Sequence, residues 1–478
     1  MNRLARPSLR VLALLVSGLS LGSTAGQAQE LPADTNTIES LTVEQAGRLL
    51  AELSVAVSPG VNVPFPIEGV GPQTLRRCLT LNGLKSVDAQ TAEALAGYNG
   101  PLFLDGLVTL SDEAAAALGQ HKGALSLDGV TMLSAQAAAA LAQHEGLLCL
   151  NGVTTLSDEA AAALAQHRGD WLFLDGVTTL SDAAVKALAQ NRGDYLSLNG
   201  LATLSDAAAK ALTHYKGANL YLNGLTTLSD VAAAALAERK SFRCNLYLSG
   251  LATLSDATAT ALAQHSGKIL SLNGLTTLSD EVAKALGEHK GGFLVLNGLT
   301  TLSGEAAASL APHQGALSLN GLTTLSGEAA ASLAQHKGSL SLNGLITLPD
   351  EAAASLAKRQ GTLSLAGLMT LSLDVAEDIA AIEKWDGRLL SLSAFESRDS
   401  VAIARALATR KGLLMLPALK KISPNTLSAL VEKKDVEIPL VETLEFIPEP
   451  DGSTTEDFII PEWLEERQRL RRAGRPAE

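Results

Sequence analysis

The sequence predicts an α/β solenoid, a fold that grows by stacking short units instead of thickening one core. Three observations carry that reading. A marker glycine recurs as Gly83, Gly106, Gly129, Gly152, Gly176, Gly200, Gly224, Gly250, Gly274, Gly298, Gly321, Gly344 and Gly367, thirteen times at spacings of 23 to 26 residues. Each unit repeats one phrase, as in Leu102 to Leu118: an alternating Leu-x-Leu triplet, an Asp/Asn-Gly pair, Leu-Ser-Asp-Glu, then small residues closed by Leu. Finally, 478 residues exceed one ordinary compact core, and the apolar 46% contains only 3% aromatics, so the filling material is Ala, Leu and Val.

In chain order, the first segment reads as an address. Arg3, Arg6 and Arg10 precede the apolar run Val11 to Leu21 and the small-residue stretch Ser23 to Ala28. That layout predicts a secretory signal peptide over 1–28, too short to span a bilayer comfortably. The mature chain is then secreted or periplasmic with no stable membrane span, since Gly, Asp and Lys interrupt every later apolar stretch. Residues 29–78 form an N-terminal cap region, with a helix near Leu41 to Leu50 and a Pro-rich segment from Pro59 to Pro72.

The thirteen repeats occupy 79–389. Alternation turns both leucines of a triplet to one face and the middle residue to the other. The Asn/Asp-Gly pair ends the strand, glycine permitting a turn closed to most residues. Ser111, Ser157 and Ser181 sit where helix N-caps belong, followed by acids that suit the positive helix end. His-Lys/Arg-Gly closes the unit, with cations expected near the negative end and glycine just past it. Degenerate repeats and a C-terminal cap take 390–440, with strands expected at Leu390 to Leu392, Leu414 to Leu416 and Val436 to Ile438. Pro417 and Pro439 suit a protected edge. An acidic, then basic tail fills 441–478, with one short helix expected.

The phrase Leu-x-Leu-x-Gly-x-x-x-Leu-Ser-Asp-Glu-Ala-x-x-x-Leu resembles the leucine-rich repeat, nearest its cysteine-containing subtype found in F-box proteins, here as an exported, bacterial-style array. The subtype's cysteine position carries Leu107, Val130, Val153 and Leu201. The resemblance covers residues 79 to about 390 and implies a right-handed solenoid with a concave parallel sheet and convex helices. With the degenerate units included, about fifteen strands are expected. An F-box-type adaptor role conflicts with the export signal and the lack of a preceding F-box-like helical segment.

Composition excludes several functions. A formal charge of −13 argues against a nucleic-acid surface. His121, His144, His167, His265, His289, His313 and His336 share one column whose other members are Asn191, Tyr215, Arg239 and Arg359, so the column tolerates non-ligands and is read as helix-terminal instead of metal-binding. Cys78, Cys149 and Cys244 lie too many strands apart for disulfides and are expected as free thiols. Asn82, Asp105, Asp128, Asn151, Asp175, Asn199, Asn223, Asn273, Asn297, Asn320 and Asn343 form a column read as a hydrogen-bond ladder, with calcium at Asp105 and Asp128 as a weaker alternative. No phosphate loop, nucleophile elbow or convergent catalytic set is present, and no cofactor or enzyme activity is expected.

The outward strand positions break the monotony. Seven of sixteen aromatics occupy them, and five fall within four consecutive units. Partner contact is therefore expected at Trp171, Phe173, Tyr195, Asn199, Tyr221, Asn223 and Tyr247, with Arg243 in the long loop beside them. A protein partner on the concave face is the primary reading, and a glycan stacking on the aromatics the alternative.

Overall fold

The structure, a computed structural model, describes residues 34–55, 78–239, 243–449, 452 and 458–472. The expected signal segment 1–28 and the Pro59 to Pro72 stretch lie outside the described residues. The chain divides into two compact units, one running to Leu201 and including His214–Gly217, the other made of Ala202–Thr213 and Ala218 onward.

In the first unit six strands follow one another in chain order: β1 Leu79–Thr80, β2 Leu102–Phe103, β3 Leu125–Ser126, β4 Leu148–Cys149, β5 Trp171–Phe173 and β6 Tyr195–Ser197. Each pairs in parallel with the next, in a register that sets leucine on leucine, as in Leu102 with Leu125 and Leu172 with Leu196. The second unit repeats the arrangement with β7 Asn219–Tyr221, β8 Asn245–Tyr247, β9 Ile269–Ser271, β10 Phe293–Val295, β11 Ala316–Ser318, β12 Leu340–Ser341 and β13 Leu363–Ser364. A helix of seven or eight residues separates successive strands, so the fold is the α/β solenoid that the repeats predict.

Alternation does what the pattern requires: the triplet leucines are 0–2% exposed, packed against buried alanines such as Ala114, Ala115, Ala160 and Ala161. Unit length sets strand length. Where the spacing grows from 23 to 24, one residue is added just before the strand, and where it grows to 26, three; each of these strands has three residues instead of two, from Trp171–Phe173 to Phe293–Val295. Ala316–Ser318 keeps three residues in a 23-residue unit because Ala316 N donates to Gly292 O at 2.7 Å.

Serine caps every helix start named above, its hydroxyl accepting from a backbone N–H, for example Ala114 N to Ser111 Oγ at 3.1 Å. The acids that follow have a second use. Asp112 and Asp158 accept from the cap serines of the next repeats, Ser134 and Ser181, and Ser372 does the same to Asp350 at 2.6 Å. Each of these three caps therefore links two repeats as well as capping one helix.

Glycine acts differently from the sequence reading. Among the described residues only Gly387, Gly412 and Gly452 have positive φ, so neither the marker glycines nor those after histidine serve as left-handed turns. The marker glycines answer a steric demand: a Cβ at Gly106 would lie 2.1 Å from Asn82 O, and one at Gly321 would lie 2.0 Å from Asn297 O. Each repeat's turn is laid directly on the previous repeat's carbonyl.

The N-terminal end copies this seat. A short 3-10 turn, Thr35–Thr37, places Asn36 O where Gly83 needs a neighbour, and Thr35 Oγ1 donates to Thr80 O at 2.6 Å. At the other end the long sheet stops at β13, short of the expected fifteen strands. Ala394 and Ala418 replace the marker glycine in the degenerate units, which removes the seat for close stacking. The expected strand at Leu390 to Leu392 is reduced to isolated bridges at Arg388 and Ala394. Two short pairs follow instead, β14 Leu414–Met415 with β16 Val436–Glu437, and β15 Lys421–Ile422 with β17 Glu445–Phe446.

The tail helix, Glu462–Arg472, is docked. Arg467 donates to Lys434 O and Val436 O, each at 3.1 Å, and Arg471 donates to Ile438 O at 3.0 Å while pairing with Glu437 at 2.9 Å. Buried Gln468 accepts from Val441 N and donates to Pro439 O, both at 3.2 Å. The guanidinium and amide donors occupy the acceptors of the last strand edge, which is how an array protects an open edge.

Candidate binding surface

In the first unit Trp171 and Tyr195 are register partners, and their rings stack with centroids 3.3 Å apart and planes 8° apart. Phe173 joins from the same strand, its centroid 6.2 Å from Trp171. All three are half-buried, so ring faces or edges reach solvent on the strand side. Parallel pairing supplies the geometry: equal positions on adjacent strands stand about 4.8 Å apart, close enough for rings to stack.

The second unit carries a matching pair. Tyr221 and Tyr247 stack at 4.2 Å and 6°, beside Asn219 and Asn245, where Asn245 Nδ2 donates to Asn219 Oδ1 at 2.6 Å. Tyr221 is half-buried, but Tyr247 is only 6% exposed and offers a partner little area. Arg243 is exposed, while residues 240–242 of its loop lie outside the described residues.

Asn199 and Asn223 are engaged in the turn column. Asn199 Nδ2 donates to Ser197 Oγ at 2.9 Å and Asp175 Oδ2 at 3.2 Å, and Asn223 Oδ1 accepts from Ser249 N at 2.9 Å. The whole column works this way. Each side-chain oxygen takes the backbone N–H one repeat on, as Asp128 N to Asp105 Oδ1 at 3.1 Å and Asn343 N to Asn320 Oδ1 at 2.9 Å. Ser318, Ser341 and Ser364 extend it, each hydroxyl donating to an Asn Oδ1 at 2.7–2.8 Å. The serine positions, plain in sequence, are a polar ladder. Burial first, then the Asp105 charge, holds the Asp128 carboxyl above its usual range. Among the described residues no group of three or more potential metal ligands gathers, and the Asp105 and Asp128 oxygens already serve the ladder, so the donor set does not fit calcium.

The three cysteines are free, Cys149 and Cys244 buried, and burial pushes the Cys149 thiol well up, away from thiolate chemistry.

The histidines, expected as helix-terminal residues, lie in the turn just past each helix, and all seven are 0–3% exposed. They stack along the array, His121 on His144 at 6.0 Å and His144 on His167 at 6.1 Å. His265, His289, His313 and His336 continue in the second unit at 6.0, 5.4 and 6.0 Å. The column's other members explain its tolerance: Tyr215 Oη donates to Gly193 O at 2.9 Å, and Arg359 donates to Leu333 O at 2.9 Å and His336 O at 2.6 Å. Tyr215 and Arg359 donate to carbonyls left between helix and strand, whereas neither ring nitrogen of His265 or His289 has a hydrogen-bond partner, so the property the column shares is burial. Burial holds His167 and His265 down at about 4 and His289 at about 3, with neighbouring His144, Arg239 and His313 adding to the effect. The rings are therefore neutral at neutral pH.

In each unit, ring stacks and amide ladders line the strands of the repeat array. No family model and no curated protein matches the sequence. Among solved structures the chain is similar to a leucine-rich repeat protein of Leptospira interrogans, at 19% identity over 76% of this chain and 94% of that one, with a TM-score of 0.35. It is also similar to an internalin of Listeria monocytogenes, at 15% identity over 68% and 95%, with a TM-score of 0.34. Among the described residues no helix is long and apolar enough to cross a membrane.

Proposed function

We propose that this chain is an exported, non-enzymatic recognition scaffold that binds a protein partner on its strand face. The observation that carries the reading is the half-exposed set Trp171, Phe173 and Tyr195, standing where later repeats carry Ala316 and Ser318, Ser339 and Ser341, or Thr362 and Ser364. Rigid, pre-stacked rings bury much area while losing little side-chain entropy, and a few such residues carry most of an interface. Tyr221, with Asn219 and Asn245 beside it, is the corresponding feature of the second unit, and Arg243 sets on-rate and salt dependence. Kinship with the cysteine-containing repeat subtype rests on the repeat phrase, whose cysteine position holds buried Leu107, Val130, Val153 and Leu201. Export rests on the layout of residues 1–28, and a mature chain beginning after Ala28 in a secreting host is the expected result.

The test is capture of extracellular proteins by the immobilised chain, run beside a glycan array. Trp171→Ala with Phe173→Ala should weaken the captured interaction by about 2–4 kcal/mol, while Ser339→Ala with Thr362→Ala should leave it unchanged. Equal affinities for the two double variants would remove the aromatic set from the binding surface, and glycan capture without protein capture would replace the partner class.

A further inference from the structure

In the first unit a row of carboxylates runs along one edge of the aromatic face. Phe103, Ser126, Cys149 and Phe173 are register partners across β2 to β5, so two small residues lie between two half-buried rings. Two residues on from Phe103, Ser126 and Phe173 stand Asp105, Asp128 and Asp175, and alternation returns them to the same face. We infer that this edge seats arginine side chains of a basic protein segment, the guanidinium taking the aspartate carboxylates while its plane lies against the Phe103 or Phe173 ring beside them. This rests on the protein-recognition reading above and names the chemistry of the partner.

The ladder does not need these charges. Asp105 Oδ1 accepts from Asp128 N at 3.1 Å, and Asp128 Oδ1 from Asn151 N at 2.9 Å. Asn297 Oδ1 and Asn320 Oδ1 do the same for Asn320 N and Asn343 N, both at 2.9 Å. An amide therefore suffices, and from Asn223 to Ala366 the same place in every repeat holds no acid. All three aspartates of the column fall in the unit that carries Phe103, Trp171, Phe173 and Tyr195.

Nor does the fold neutralise them. Among the described residues none of the three is in a salt bridge, and the turns that follow them, 106–110, 129–133 and 176–180, contain no cation. Carboxylate oxygen also remains for a further donor. Among the described residues Asp105 Oδ2 accepts no hydrogen bond, while Asp128 Oδ2 and Asp175 Oδ2 accept one each, from Asn151 and Asn199 at 3.2 Å.

Their field reaches the strand face between the two phenylalanines: after burial, the Asp128, Asp105 and Asp175 charges push the Cys149 thiol up. Like charges held together repel, and a cation from a partner relieves that repulsion. Arginine answers both features of the edge, because its planar guanidinium takes a carboxylate through two donors and stacks on a ring, whereas an ammonium is a compact point charge.

The test measures binding of a fluorescently labelled arginine peptide to the full chain, beside a lysine peptide of equal length, at physiological salt. The arginine peptide should bind, and the lysine peptide should bind about tenfold more weakly. Asp105→Asn, Asp128→Asn and Asp175→Asn together keep the ladder acceptors, and should weaken arginine-peptide binding about thirtyfold with no loss of melting temperature. Glu113→Gln, Glu145→Gln and Glu159→Gln remove the same charge from exposed positions of the same unit, and should weaken it less than about threefold. Absence of binding by the unaltered chain overturns the inference, as do equal losses in the two triple variants or a lysine peptide that binds as tightly. A protein captured through Trp171 and Phe173, with its capture unaffected by the three asparagines, would sink this inference and leave the reading of the aromatic set standing.

Discussion

The stacked histidines set an acid limit on the array. His265 and His289 are buried, neighbouring rings 6.0 Å apart in the second unit, with Arg239 beside one and His313 beside the other. Unfolded, each takes a proton as pH falls through 6.5; folded, His265 resists to about 4 and His289 to about 3. Between those limits the unfolded chain binds more protons, so the stabilisation is complete above 6.5 and drains away as pH falls toward 4. A drop from 6.5 to about 4 is worth about 3 kcal/mol for His265, and His289 loses a similar amount over the same interval. The perturbation is His265→Asn with His289→Asn, asparagine being the residue the column already uses at Asn191, where Oδ1 accepts from Gly193 N at 3.0 Å. Acid unfolding followed by far-ultraviolet circular dichroism, each protein normalised to its own neutral-pH stability, should show a lower midpoint pH in the variant. Superimposable profiles would show that the rings take protons in the folded state, and the account of a neutral column would be wrong.

Three further outcomes follow from the backbone and the strand edge. Gly321→Ala places a methyl 2.0 Å from Asn297 O and 2.6 Å from Leu299 O, both backbone, and should cost about 3 kcal/mol in denaturant unfolding. Gly47→Ala, in the helix Val43–Val55 with nothing within 4 Å, should instead stabilise by up to about 1 kcal/mol. Truncation after Pro461 removes Arg467, Gln468 and Arg471 from the last strand edge, and light scattering should then show concentration-dependent self-association; a monomer indistinguishable from the full chain would deny the helix its capping role.

Period and alternation made the strands, helices and serine caps legible, because Leu-x-Leu and Ser-Asp-Glu act within one repeat. What stayed hidden involves two repeats at once. The marker glycine looked like a turn residue because its conformational freedom is a local property, whereas its real constraint is the carbonyl of the preceding unit. The histidines read as helix-terminal residues, and their burial depends on an inward turn just past the helix that the repeat phrase does not specify. Their alternation with Tyr215, Arg239 and Arg359 was the available signal: those residue types share donors and long reach, not helix-end charge. At the surface, the aromatic column of Trp171 and Tyr195 was readable from alternation alone. The covering of Tyr247 was not, since it depends on neighbours that alternation does not specify.

The seat beneath each marker glycine gives the array a direction of growth. Gly106 rests on carbonyls of Asn82 and Leu84, Gly129 on those of Asp105 and Leu107, and Gly83 on Asn36 and Ile38 in the leading turn. Every contact of this kind reaches back toward the N-terminus, where chain synthesis begins. A newly made repeat therefore meets a finished surface, while the repeat after it is not yet needed. Thr35–Thr37 is the first template in that series, and its loss would leave Gly83 with nothing to be laid upon, so damage at the leading turn should propagate through the following repeats in a way that damage at the far end cannot.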